Sequence, residues 1–279
     1  MSMKRIDGNY LAQKLYERIK KDVALLGFEP VFCDVLVGDN LASMQYVRMK
    51  EKRARDVGMK VHHAHFDATI TTDELCGEIE KLNEIPYMCG LIVQLPLPAH
   101  IDTQAVLNAI DPRHDVDVLH EETSAAFYAN TSHFVFPTAR AIMHIIDHVP
   151  LPYDEKKFLV IGQGRLVGAP VTHLLRQRNY NVTTLTQNDE NPVPILRRSD
   201  IIISATGNDG LITGEKIMPG VMLIDAGTSE SHGGIKGDVD LASVGEKPSY
   251  ISGVPGGVGP ITVAMLLDNV VHAARAKYL

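Results

Sequence analysis

Apolar residues recur along the chain in two alternating rhythms. Leu11, Leu15, Ile19 and Val23 are spaced by four, the stripe of an amphipathic helix predicted over residues 9–26, with Gly27 as its stop. The largely apolar stretch at 31–37 predicts a buried strand, closed by Gly38-Asp39-Asn40. The alternation repeats: a helix over 42–57 ended by Gly58, a strand over 60–66, a helix over 72–82 and a short strand over 90–94. Leu95-Pro96-Leu97-Pro98 then forbids regular structure. Residues 114–136 are polar and aperiodic and read as the start of a domain junction, followed by a linking helix over 137–148. Strands are predicted at 157–161, 181–185, 200–204 and 221–225, and a last helix over 261–278 starts behind Pro260.

This β-α-β rhythm predicts an α/β protein with parallel sheets, in two units. The expected boundaries are residues 1–120 joined by the C-terminal helix 260–279, and a Rossmann-type unit over 137–255. Composition narrows the partners. With 27 Lys+Arg against 34 Asp+Glu the net charge is −7, and no basic block offers a surface for nucleic acid or an anionic membrane. No apolar run approaches the roughly 18 residues of a membrane helix, and the N-terminus lacks a signal-peptide core, so a cytoplasmic protein is expected. The three cysteines have no metal or redox spacing, and no metal is expected.

Several motifs carry candidate chemistry. Gly162-Gln163-Gly164-Arg165-Leu166-Val167-Gly168 follows a predicted strand and opens a helix. Such glycines let a pyrophosphate approach the helix N-terminus, or simply turn the chain from strand to helix. Tyr46 and Lys50 are four apart and share a helix face, either as an acid/base pair in a cleft or as an ordinary solvated face. Gln94 ends a buried strand, where open α/β sheets place ligands and also ordinary polar caps. Asp115 and Asp117 suit acid/base work, an amide and amine edge, or a loop cap. Pro255-Gly256-Gly257-Val258-Gly259-Pro260 specifies one unusual backbone path into a helix, open to a ligand or serving as a corner.

In order, these motifs resemble the bifunctional methylenetetrahydrofolate dehydrogenase / methenyltetrahydrofolate cyclohydrolase family of FolD type. The resemblance rests on Ser43-x-x-Tyr46-x-x-x-Lys50, Val93-Gln94-Leu95-Pro96-Leu97-Pro98, Asp115-Val116-Asp117, Val167-Gly168-Ala169-Pro170 and the run from Val254 to Ala264. It covers nearly the whole chain. It implies oxidation of methylenetetrahydrofolate to methenyltetrahydrofolate with NADP, then hydrolysis to 10-formyltetrahydrofolate, in one-carbon and purine metabolism. It implies a homodimer, with folate held between an N-terminal catalytic domain and a Rossmann domain. Lys50 would be catalytic, with Tyr46 and Gln94 positioning it and the folate, and Asp117 holding the pterin. Val93, Leu95, Pro255, Gly256, Gly257, Val258 and Gly259 would line the folate site. Gly162, Gln163, Gly164, Arg165, Gly168, Gln187 and Thr228 would contact the nucleotide.

The chain departs from the family pattern at named places. His114 and Val118 flank Asp115-Val116-Asp117 where the family reads Lys and Gly, and Gln163-Gly164 and Gly227-Thr228-Ser229 differ in the nucleotide half. Thr186-Gln187-Asn188-Asp189 offers neutral donors and one carboxylate at the second Rossmann strand, so NADP and NAD both stay open. Two alternatives to the bifunctional enzyme follow: a cyclohydrolase with weak or lost dehydrogenase activity, or a non-catalytic folate- or nucleotide-binding module. Replacing Lys50 by Met is expected to leave folding intact, since long side chains bury mostly their stems.

Overall fold

The computed structural model describes residues 3–189, 191–231 and 234–278. In chain order the elements begin β1 (Lys4–Arg5), α1 (Gly8–Ala24), β2 (Val31–Val37), α2 (Leu41–Asp56), β3 (Lys60–Phe66), α3 (Thr72–Asn83) and β4 (Met88–Val93). Short helices α4 (Thr103–Asn108) and α5 (Glu121–Tyr128) lead to α6 (Pro137–His148). There follow β5 (Lys157–Ile161), α7 (Gly168–Gln177), β6 (Asn181–Leu185), α8 (Val193–Arg197), β7 (Ile201–Ser204) and β8 (Met222–Asp225). The chain closes with β9 (Ser229–Ser231), β10 (Gly234–Lys236), α9 (Leu241–Val244), β11 (Tyr250–Ser252) and α10 (Val258–Tyr278).

Two compact units result, one of residues 13–137 with 263–279 and the other of 1–12 with 138–262. The first unit holds a parallel sheet ordered β3-β2-β4. All seven residues of β2 are buried, as its apolar run predicts for a central parallel strand. Helix α2 is started by Asn40, whose side chain accepts from Ser43 N at 2.9 Å, and α3 by a capping box between Thr71 and Glu74. The C-terminal part of α10 lies against this sheet at Gly90, where a Cβ would fall 2.5 Å from Val270 Cγ2. Glycine in β4 is what lets the helix come that close.

The second unit is a six-stranded parallel sheet ordered β1-β11-β8-β7-β5-β6. Its centre is aliphatic: Leu159, Val160, Ile201, Ile202, Ile203 and Leu223 are inaccessible to solvent. Each such side chain is worth about 1.5–3 kcal/mol of burial.

Three expectations need correction. Residues 1–12 do not belong to the first unit: Lys4 and Arg5 pair with Tyr250 and Ile251, adding an edge strand to the Rossmann-type sheet. A two-residue strand has no periodicity to read. The stretch 114–136 is not uniformly irregular, because α5 sits inside it, capped by His120 Nδ1 accepting from Glu122 N, with Thr123 and Phe127 buried. Helix α10 starts at Val258, so Pro260 is its third residue rather than its first. No helix among the described residues is long and apolar enough to cross a membrane.

Candidate active site

Four of the singled-out residues belong to the first unit, and the fold groups them. Lys50 comes from α2, Gln94 follows the end of β4, and Asp117 lies on the segment after α4. Lys50 is buried rather than on a solvated face: its Nζ donates to Gln94 Oε1 at 2.9 Å and lies 4.8 Å from the centre of the Tyr46 ring. Gln94 is itself fixed, its Nε2 donating to Leu95 O at 2.8 Å and its backbone N to Val35 O at 2.8 Å. That orients the amide so that its oxygen faces the lysine. Val93 is buried at the strand end, and Leu95 is half-buried beside Gln94.

The carboxylates of the Asp115-Val116-Asp117 segment have separate tasks. Asp115 is buried and accepts from Leu119 N, His120 N and the Thr123 hydroxyl. It caps the loop, the structural one of its possible readings. Asp117 is half-buried, and burial pushes its carboxyl up to about 6, helped by Asp115 and Asp34 and opposed by Lys50. The Tyr46 hydroxyl is also pushed up, first by burial and then by Asp117 and Asp34.

Two supports of this group lie outside the sequence motifs. Asp34 in β2 sits with Oδ2 2.7 Å from Lys50 Nζ. A lone carboxylate inside a strand predicted to be buried was the available signal. Asn269 of α10 donates to Val116 O at 2.8 Å and to Val135 O at 2.9 Å, holding the backbone next to Asp117. Nothing in local sequence links residues so far apart.

The nucleotide motif lies in the second unit. Gly162 follows β5 with φ of +85°, and a Cβ there would fall 2.5 Å from Ala205 O. A Cβ on Gly168 would fall 1.9 Å from Gly162 O, whereas one on Gly164 meets nothing within 4 Å. Two of the three glycines are therefore required by the turn itself, and the third leaves open space at the mouth of α7. Gln163 donates to Gly162 O and to Thr172 Oγ1, and Arg165 is exposed. At the end of β6, Asp189 folds back to accept from Thr186 N and Oγ1, leaving Gln187 exposed.

Thr228 is exposed beyond β8, on a loop set by two buried carboxylates. Asp225 accepts from Gly227 N, Asp238 N and Val239 N, and Asp238 from Ser204 Oγ and Thr206 N and Oγ1. Burial pushes the Asp225 carboxyl up to about 6. The turn Pro255, Gly256, Gly257, Val258 and Gly259 also belongs to this unit and leads into α10. Gly257 O packs against Gly8, leaving no room for a Cβ there.

Comparison with known proteins agrees with this arrangement. Residues 6–117 match the tetrahydrofolate dehydrogenase/cyclohydrolase catalytic domain, and residues 137–278 match the NAD(P)-binding domain of the same family. The bifunctional protein FolD of Staphylococcus carnosus is 37% identical over 99% of each chain. The FolD crystal structure from Campylobacter jejuni superposes with a TM-score of 0.93 at 33% identity, covering 99% of this chain and all of that one. The Trypanosoma brucei FolD, solved in complex with NADP and an inhibitor, gives 0.93 at 32% identity, covering 99% of this chain and 98% of that one. The chain thus belongs to the tetrahydrofolate dehydrogenase/cyclohydrolase family and is a bifunctional enzyme of folate one-carbon conversion with an NAD(P)-binding domain.

Proposed function

We propose that Lys50 is the proton-transfer group of the cyclohydrolase step, with Tyr46 and Gln94 orienting it and Asp117 gripping the pterin. The observation that carries this is the burial of Lys50 with its Nζ bonded to the Gln94 amide. A lysine held in this way, with limited freedom and little water around it, is suited to deliver a proton along one direction. Water adds to the methenyl carbon and releases a proton to solvent. As the carbon–nitrogen bond of the resulting carbinolamine breaks, Lys50 gives a proton to the departing ring nitrogen. It regains one from the hydroxyl that becomes the formyl carbonyl. Val93 and Leu95, with Pro255, Gly256, Gly257, Val258 and Gly259, are proposed as further folate contacts.

For the dehydrogenase step, the bound nicotinamide dinucleotide supplies the hydride acceptor. The open space at Gly164 and the cradle of Gly162 and Gly168 fit such a group. Gln163, Arg165, Gln187 and Thr228 are proposed as its remaining contacts. NADP is the proposed cofactor, as in the Trypanosoma brucei complex. With Asp189 turned back on the strand end and Arg165 the cation of the glycine loop, the expected preference over NAD is below about 100-fold, or about 2.7 kcal/mol. Parallel kcat/KM measurements on methylenetetrahydrofolate with each cofactor test both statements. Absence of turnover with either would reject the dehydrogenase assignment, and a preference far above 100-fold would require another basic partner. The family resemblance further supports a cytoplasmic homodimer serving purine biosynthesis, which sedimentation and localisation measurements would test.

A further inference from the structure

Asp34 is the only charged residue of β2, and it lies in the middle strand of its sheet. Its side chain is 0% exposed, and the Lys50 ammonium at 2.7 Å is its one polar contact among the described residues. Burying such a pair costs several kcal/mol per ion, and replacing both partners by apolar residues of similar size is often as stable or more so. Fold stability therefore gives no reason for this buried pair. The reason lies in Lys50. Its Nζ donates to Gln94 Oε1 at 2.9 Å and is ion-paired with Asp34 Oδ2 at 2.7 Å, so two groups, one in β2 and one just after β4, hold the ammonium.

We propose that Asp34 is a positioning residue for the folate chemistry: its carboxylate holds the Lys50 ammonium in place against the Gln94 amide. This rests on Lys50 being the proton-transfer group. The proton that leaves Nζ for the ring nitrogen, as the carbon–nitrogen bond breaks, is replaced by the hydroxyl proton of the carbinol as the carbonyl forms. Asp34 takes no proton in this exchange: burial pushes its carboxyl up, and the Lys50 ammonium opposes that. While Lys50 is briefly neutral, the buried anion has lost its counter-charge, which favours the lysine regaining its proton at once.

Asp34→Asn keeps the shape and removes the charge, and Asp34→Val removes both. Cyclohydrolase kcat is expected to fall at least about tenfold in each, with folate KM within about threefold, because the interaction serves the chemistry rather than binding. Asp34→Val strands the buried Lys50 ammonium and should melt below the parent, so kcat is compared at a temperature where thermal melts show every variant fully folded, which separates lost positioning from lost folding. A second readout needs no catalysis. In a spectrum of protein carrying isotope-labelled lysine, a slowly exchanging ammonium signal, identified by its loss in Lys50→Met, should vanish in Asp34→Asn. An Asp34→Asn protein with parental kcat, or one that keeps the ammonium signal, overturns the proposal. If the parent itself shows no cyclohydrolase turnover, the reading of Lys50 fails, and the ammonium signal still decides whether Asp34 holds it.

Discussion

Lys50 illustrates how one buried neighbour changes the meaning of a substitution. Judged from sequence, Lys50→Met keeps the aliphatic stem and should be harmless to folding. With Asp34 buried against it, the same change strands a carboxylate without a counter-charge, which costs about 3–5 kcal/mol in comparable cases. Lys50→Met should therefore lower the urea midpoint as well as reduce cyclohydrolase activity at least about 100-fold. Adding Asp34→Val to it should restore most of the stability and none of the activity. A double variant as unstable as Lys50→Met alone would mean the pair is not energetically coupled. Asp117 gives a pH test at the same scale. Its carboxyl is raised to about 6, so its negative charge is present above that pH and lost as pH falls through it. Folate KM should rise on acidification below about pH 6 in the parent protein, whereas Asp117→Asn should have a raised KM with that component of the pH dependence removed. A parent KM that is flat across this range would sever Asp117 from folate binding. Tyr46, Lys50, Gln94 and Asp117 were legible because their types and spacing are chemical; Asp34 and Asn269 were not, since their partners are remote in sequence.

Elements were legible where burial imposes a period. Strand β2 and the aliphatic strands β5, β7 and β8 follow from largely apolar runs, and α1 to α3 from stripes and caps. Strand β1 and the hairpin of β9 with β10 are too short to show alternation, and α5 announces itself only through its cap. The β5–α7 turn shows how structure divides a motif whose letters look equivalent. Alanine at Gly162 would be strained at φ of +85°, and alanine at Gly168 would collide with Gly162 O, so each should destabilise by more than about 1 kcal/mol. Gly164→Ala meets no protein atom and should leave stability within about 0.5 kcal/mol. Its effect should instead appear as a raised KM for NADP with cyclohydrolase activity intact. An unchanged KM would mean that no ligand approaches that backbone. Thermal melts and cofactor titrations on the three variants separate turn geometry from ligand contact.

At the scale of the whole molecule, the two-unit α/β organisation was legible, but the way α10 closes the first unit was not. Beyond Asn269, its end carries Lys277, whose ammonium lies 3.0 Å from His114 Nε2. An ammonium only donates, so Nε2 must accept and the ring hydrogen sits on Nδ1, facing Asn83 Oδ1 at 3.3 Å. His114 is 1% exposed, and its carbonyl accepts from Leu91 N, so it joins β4, α3 and α10 at the root of the segment bearing Asp117. Burial first, then the Lys277 charge, lowers its imidazole from 6.5 to about 4, against a smaller opposing pull from Asp111. A base whose folded value is depressed contributes stability that is full above the unfolded value and is lost as pH falls toward the folded one. The window therefore runs from about pH 6.5 down to about 4, and the loss approaches 3 kcal/mol at 1.36 kcal/mol per unit. Carboxylates titrate in the same range, Asp117 and Asp225 among them with the opposite sign, so the parent curve alone is uninformative. The difference between the parent and His114→Gln isolates the histidine: Gln can accept from Lys277 and donate to Asn83 but cannot take up a proton. Unfolding free energies from urea titrations at intervals between pH 7 and 4 should show the parent losing about 3 kcal/mol more than the variant. Parallel curves for the two proteins would place the His114 proton in solvent reach and dissolve this link between α10 and the Asp117 segment.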